Sequence, residues 1–178
     1  VYDIILQHLP SRAQRQLAVD VATGNGQAAV QLAAHFERVL ATDGNAEQLR
    51  HADAAAPNVT YQHADAHAIP LDDATADLVT AASALHWLEL PRFLRECRRV
   101  LKPHGCLAAW AIPLGSARLE VPAAPAAAPA CQAALHHIHE DTLSECWDRR
   151  KRLCDDLYRG ACSVLDGGRP DMQQQPLC

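Results

Sequence analysis

The chain has 178 residues, enough for one domain with a sizeable core and a short appendage. Its 49% hydrophobic and 21% charged fractions exclude a wholly disordered, fibrous or collagen-like chain. Sixteen Lys and Arg against twenty-one Asp and Glu leave a net charge of −5, so the surface has no global attraction for nucleic acid or anionic lipid, and neither is expected as a partner.

No apolar run approaches the length of a membrane-spanning helix, and the opening VYDIILQHLP lacks the basic start and small-residue cleavage site of a secretory leader. A cytoplasmic address follows as the expectation. The seven cysteines are odd in number, form no CxxC and all lie from Cys97 onward, which reads as reduced thiols rather than a disulfide framework. Cys97 and Cys106 fall in periodic apolar context and are expected in the core, Cys178 at the surface.

In chain order, strand-like apolar runs recur at LAVDV (17–21), VLATD (39–43), VTYQH (59–63), ADLVTAA (76–82) and CLAAWAI (106–112). Between the first two, QAAVQLAAHF sets Ala29, Val30, Leu32, Ala33 and Phe36 on one helical stripe. PRFLRECRRVLK repeats the pattern with Phe93, Leu94, Cys97, Val100 and Leu101, with Pro91 suited to a first turn and Lys102-Pro103-His104-Gly105 supplying the stop. Strands alternating with amphipathic helices predict βαβ units and a mostly parallel sheet covered on both faces. Ligands of such sheets bind at the carboxyl ends of the strands.

Residues 1–112 read as this core. Residues 113–131 are rich in Ala and Pro and read as a linker, since repeated prolines forbid a continuous helix. Residues 132–160 repeat apolar side chains at helical intervals and read as an amphipathic, cap-like helical segment, and 161–178 as a disordered tail. Two smaller features take ordinary readings. Adjacent histidines of HHIHE (136–140) point to different helix faces and no matching cluster stands elsewhere, so no metal site is expected, and the basic run at 149–152 is flanked by acids that pair with it.

Chemistry concentrates at the predicted strand ends. DVATGNG (20–26) lies at a strand-to-helix junction where Gly24 and Gly26 let the backbone turn sharply and approach a ligand. The same glycines with Ala29 satisfy a loose G-x-G-x-x-A dinucleotide pattern, so a nicotinamide cofactor stays open at this point. Asp43 ends the second strand, where a carboxylate accepts hydrogen bonds from vicinal ribose hydroxyls, and Gly44 suits the turn after it. Asp65 follows the third strand, where it can accept from an adenine amino group while the Ala66 N–H donates to the ring.

Taken together, DVATGNG, ATDGNAEQL, HADAHAIPL, DLVTAASALHW and RFLRECRRVLKPHGCLAAW resemble the blocks of class I S-adenosylmethionine-dependent methyltransferases. Within that class they are most similar to the type 11 methyltransferase domain and its trans-aconitate methyltransferase-like members. Ala22 stands where the commonest family version has a further glycine. The resemblance implies an α/β, Rossmann-like three-layer sandwich with a mostly parallel sheet, followed by a helical C-terminal segment. It implies S-adenosyl-L-methionine as cofactor, with Asp20, Ala22, Gly24 and Gly26 around the methionine moiety, Asp43 and Gly44 at the ribose, and Asp65 and Ala66 at the adenine. Ser83 to His86 would form the wall nearest the methyl group.

The sulfonium methyl is already activated, so the protein's task is to align acceptor, methyl and sulfur and to exclude water; no catalytic triad is expected. The expected acceptor is a small molecule. A carboxylate acceptor needs no base, whereas an amine or hydroxyl would use His86 as its proton acceptor, packing at the strand exit being that residue's other role. Relative to the family pattern the chain reads as short at both ends, and strand 106–112, expected as an exposed edge, and helix 132–160 are the expected surfaces for self-association or for a protein partner. Two other functions remain in view from sequence: a shortened, weakly active or inactive cofactor-binding module acting through a protein partner, and an NAD(P)-dependent oxidoreductase. Against the latter, none of Tyr2, Tyr61 or Tyr158 has a lysine four positions on.

Overall fold

The apolar runs are long enough to be buried from both faces only if they lie side by side, and they do. In the computed structural model, which describes residues 1–9, 11, 15–52, 56–111 and 122–143, five strands form one all-parallel sheet in the order β3-β2-β1-β4-β5. They are β1 (Leu17–Val21), β2 (Arg38–Asp43), β3 (Val59–His63), β4 (Ala76–Ala82) and β5 (Leu101–Trp110). The central strands β1 and β4 are buried almost throughout, which is why LAVDV and ADLVTAA read as near-continuous apolar segments rather than alternating ones.

Side-chain alternation splits the core into two halves, one on each face of the sheet. On one face Ala18, Val39, Ala41 and Leu78 lie beneath α1 (Tyr2–Gln7) and α2 (Gln27–Ala33), which contribute Ile5, Ala29 and Leu32, with Phe36 closing the end. On the other, Val19, Val21, Leu40 and Val79 meet Phe93, Cys97 and Val100 of α4 (Leu90–Val100). The short α3 (Ala46–Leu49) follows β2, capped by the Asn45 side chain, which accepts the Glu47 N–H. This is the Rossmann-like three-layer sandwich that the sequence predicts. No described helix is long and apolar enough to cross a membrane.

The crossover from β3 to β4, residues 64–75, contains no helix. Its backbone is held by α4 instead. Arg99 donates to the carbonyls of Ile69 at 2.9 Å and Leu71 at 2.7 Å, while the Glu96 carboxylate accepts the Ile69 N–H at 2.6 Å. The Arg99 guanidinium keeps the Glu96 carboxyl below the usual range, and the pair does for this loop what ladder hydrogen bonds do for a strand. Cys97 is buried beside it, its thiol pushed up to about 12 chiefly by loss of solvent, so it is an inert core residue as expected.

The helix α2 ends at Ala33 rather than reaching Phe36, and α4 ends at Val100, so the expected stop at 102–105 falls inside β5; two further boundaries differ from the predicted ones. β5 begins at Leu101, directly after α4, not at 106, because Ala76 pairs with Leu101 and Leu78 with Cys106, leaving residues 102–105 as a bulge. Pro103 is tolerated because β5 is the outermost strand among the described residues, and Gly105 is needed because a Cβ there would lie 2.9 Å from Leu101 Cδ2 and 3.0 Å from the Ala76 carbonyl. The second difference is α5 (Ala128–His136), which starts inside the segment expected to be a linker. Pro129 falls in its first turn, where no backbone N–H is required, so a residue that argues against a helix interior is compatible with a helix start. No side chain of α5 is buried. Ile112, residues 113–121 of the linker, most of the cap-like segment and the tail lie outside the described residues.

Candidate functional site

Every predicted site residue sits at the carboxyl ends of the strands or in the loops that leave them. The loop after β1 is possible because its backbone visits the left-handed region repeatedly: Ala22 has φ 50°, Gly24 60° and Gly26 92°. Gly26 is required twice over, since a Cβ there would also collide with the Tyr61 ring. Gly24 is required by its φ alone; its nearest neighbour would be Gln48 Oε1 at 3.9 Å, so the space around it is open. Ala22 adopts the same conformation with a Cβ and carries the strain of about 1–2 kcal/mol that a glycine would not.

Asp20 is fully buried under this loop. Thr80 donates to its Oδ1 at 2.6 Å and Thr23 to its Oδ2 at 2.5 Å. Burial nevertheless dominates and, with a smaller push from Asp43, raises its carboxyl to about 6; the two threonine hydroxyls oppose the shift. Tyr2 of α1 closes the neighbouring face, its ring edge-on to Trp110 at 5.9 Å, and its hydroxyl is raised by burial and then by Asp20.

Asp43 ties the ends of two strands together. Its Oδ2 accepts the Gly24 N–H and its Oδ1 the Asn45 N–H, both at 2.8 Å. Each oxygen keeps a lone pair, so the residue can position the glycine loop and still accept from a ligand. Asp65, beyond β3, has a largely exposed side chain whose Oδ1 accepts both the backbone N–H and the ring of His67. Those hydrogen bonds hold its carboxyl below the ordinary range, and its Oδ2 has no partner among the described residues. The buried Ala66 N–H likewise has no partner among them.

A cleft of about 350 Å³ opens at this rim, lined by Ala22, Gly44, His63, Asp65, Ala66 and Leu88. Nothing lies within 4 Å of a Cβ built on Gly44, and His63 donates from Nε2 to the Gly44 carbonyl at 3.0 Å. Ser83, with φ 51°, leaves β4 and donates its N–H to Trp110 O at 2.7 Å. His86 follows on a single 3-10 turn (Leu85–Trp87), its ring 4.9 Å from that of the exposed Trp87. The structure thus brings Ala22, Gly44, Asp65 and Ala66 to one cleft and sets Asp43 against the glycine loop with Asp20 beneath it. Ser83 and His86 lie on the β4 exit and do not line the cleft. A larger hollow of about 560 Å³, over Leu17, Leu40, Thr60 and Ile69, contains none of the predicted residues.

His67 and Leu88 were not anticipated. For His67 a signal existed in the spacing of HADAH (63–67), which returns a histidine to the loop two residues after the carboxylate; Leu88 had none.

These leftovers decide what the rim can hold. A free carboxylate oxygen beside a buried donor N–H matches the amino group and ring nitrogen of an adenine, and spare acceptor capacity on Asp43 matches ribose hydroxyls. A parallel sheet with a glycine-bearing first loop and a carboxylate at or just beyond each of its first three strand ends is a Rossmann-like arrangement, in which ligands bind at the carboxyl ends of the strands. Residues 19–109 match the family described as a methyltransferase domain. The chain is 37% identical over 110 residues to a Dictyostelium discoideum protein named as a methyltransferase, covering 62% of this chain and 41% of that one. It matches a structure described as a type II methyltransferase from Anaeromyxobacter dehalogenans with a TM-score of 0.75 and 31% identity, over 99% of this chain and 67% of the other. A structure of an S-adenosylmethionine-dependent methyltransferase from Aquifex aeolicus matches with a TM-score of 0.55 and 26% identity, over 68% of each chain. The chain belongs to the class I S-adenosylmethionine-dependent methyltransferase family. It spans about two fifths of the length of the Dictyostelium relative.

Proposed function

We propose that the rim of β1, β2 and β3 binds S-adenosyl-L-methionine and that the chain transfers its methyl group to a small-molecule acceptor. The observation that carries this reading is the gathering of Ala22, Gly44, Asp65 and Ala66 around one cleft, with Asp43 hydrogen-bonded to the loop above β1. When bound, the cofactor supplies a methyl group already activated on a sulfonium. Asp65 Oδ2 and the Ala66 N–H would hold the adenine, Asp43 the ribose hydroxyls, and the loop at 22–26 the methionine moiety above Asp20. An ionised Asp20 adds a buried negative charge suited to a cationic ligand. The 3-10 turn that carries His86 continues into Leu88, which walls the cleft, so the acceptor would approach from the β4 exit. A carboxylate acceptor is ionised at neutral pH and would need only alignment; an amine or hydroxyl would give its proton to His86.

Titration calorimetry with S-adenosylhomocysteine and, separately, NAD tests the cofactor: the first is expected to bind and the second not. Transfer of labelled methyl into a metabolite extract tests turnover, and binding without transfer would instead favour a non-catalytic module. For partners, the outermost position of β5, with Leu107, Ala108 and Trp110 only half-buried, supports association with a second copy. Light scattering is expected to show a dimer, and a monodisperse monomer would remove that proposal.

A further inference from the structure

The ring of His67 joins two loops that the sequence separates widely. It follows β3 in the crossover, and its side chain is only 14% exposed. Nδ1 lies 2.7 Å from Asp65 Oδ1, and Nε2 lies 3.0 Å from the backbone nitrogen of Glu89, the cap residue immediately before α4. The partners dictate the proton's place. An ionised carboxylate can only accept, so Nδ1 carries the hydrogen; a peptide N–H can only donate, so Nε2 presents its lone pair. The imidazole is therefore the neutral Nδ1–H tautomer, and neither the opposite tautomer nor the imidazolium satisfies both contacts.

Each contact has a consequence for the cleft. Asp65 Oδ1 receives the His67 N–H as well as Nδ1–H, so this oxygen is committed within the protein and the carboxylate cannot rotate freely despite its exposure. Oδ2 is left for a ligand. Glu89 directly follows Leu88, which lines the same cleft as Asp65 and Ala66, and the 3-10 turn bearing His86 precedes it. One ring thus sets the separation between the adenine side of the cleft and its β4-exit wall.

We propose that His67 is a positioning residue: through Nδ1–H it presets Asp65 to offer Oδ2 to an adenosyl amino group, and through Nε2 it fixes the Leu88 wall by holding the Glu89 N–H. This rests on the reading of the rim as an adenosyl site.

Two near-isosteres separate the two contacts. His67→Asn keeps an N–H donor close to the position of Nδ1 and has nothing at Nε2. His67→Gln sets an amide oxygen close to Nε2 and lacks the donor to Asp65. In the intact chain, nitrogen NMR of His67 is expected to show a protonated Nδ1 and a bare Nε2. Exchange of the Glu89 amide is expected to be slow in the wild type and His67→Gln, and about tenfold faster in His67→Asn. S-adenosylhomocysteine is expected to bind His67→Asn within about threefold of the wild type, and His67→Gln about tenfold more weakly, the loss of one charge-assisted hydrogen bond. A merely structural histidine would not divide the two readouts between the two variants. The proposal is overturned by a protonated Nε2, or by variants that shift both readouts alike or neither. If the wild type itself fails to bind S-adenosylhomocysteine, the adenosyl reading is lost. The tautomer and the Glu89 exchange pattern then decide, on their own, whether the ring ties the loops.

Discussion

The two ends of the same sheet are built on opposite principles. At the amino ends of the strands, Asp77 is buried and saturated: its Oδ2 accepts the N–H groups of Gln16 and Leu17, each at 2.9 Å, and its Oδ1 accepts from Lys102 at 2.7 Å. Lys102 in turn donates to Gln16 Oε1 at 2.9 Å, so the β1 and β4 starts are joined to the bulge before the main run of β5. At the carboxyl ends, Asp65 Oδ2 and the Ala66 N–H are left over, burial makes the Asp20 carboxyl a weaker acid, and Ala22 and Ser83 sit in left-handed backbone. Ala74 shows that such backbone is not confined to one end; its N–H is satisfied by Arg99 O at 2.8 Å, as that of Ser83 is by Trp110 O. The difference teaches where stability is made and where it is given up: one end commits its polar groups to the fold, and the other leaves some of them open, as the proposed cofactor site requires.

The largest effect that tests this contrast is expected from Asp77→Ala. Removing the carboxylate leaves two peptide donors unmatched and Lys102 with Gln16 Oε1 in place of an ion pair, and urea unfolding is expected to show a loss of about 2–4 kcal/mol. Affinity of the folded variant for S-adenosylhomocysteine should be unchanged; a parallel loss of both would mean that the two ends are not separable.

At the opposite end Asp20→Asn is expected to stabilise the fold. Folding raises the Asp20 carboxyl from 3.8 to about 6, so between those values the folded chain holds a proton that the unfolded chain has released. Stability from this group therefore falls as pH rises through that window, and the cost is fully present above about 6. The variant should gain on the order of 2 kcal/mol near neutral pH, with the gain fading towards pH 4, and should bind the cationic cofactor more weakly. Parallel pH profiles for the two proteins would show that Asp20 does not titrate across this range.

Asp43→Ala sharpens the comparison because Asp43 holds the glycine loop and is also the residue proposed to hold the ribose. Calorimetry is expected to show cofactor affinity reduced by about 1–3 kcal/mol, with unchanged affinity removing Asp43 from the site. The smallest effect is expected from Ala22→Gly. Relief of left-handed backbone is offset by the freer unfolded chain and by loss of a half-buried methyl, so thermal unfolding should move by less than about 1 kcal/mol in free-energy terms. A large loss would mean that the methyl packs more tightly than its partial exposure indicates.

Much of the fold is legible in the sequence. β1 and β4 coincide with their predicted runs to the residue, because a strand buried on both faces leaves an unbroken apolar signature; β3 coincides too, although it is largely exposed and was legible only from its β-branched and aromatic residues. The start of β5 was not legible, since its bulge is imposed by pairing with β4, and neither was α5, whose first-turn proline looks the same in sequence as a helix-breaking one. The rim was legible as residue types: glycines, then a carboxylate at the end of each of three strands. The anchoring of the β3–β4 crossover by Arg99 and Glu96, nearly thirty residues away, was not.

From local pattern alone, then, came the parallel sheet, its buried centre and the identity of the rim that carries Asp20, Asp43 and Asp65, because burial and turn geometry are written in short-range periodicity and in residues that tolerate unusual backbone. Tertiary structure alone decided which lone pairs and N–H groups at that rim are already taken and which remain. That depends on contacts such as Asp43 with Gly24 and His67 with Glu89, between residues 19 and 22 apart in the chain, and hydrogen-bond partners across such gaps are chosen only when the strands close against one another.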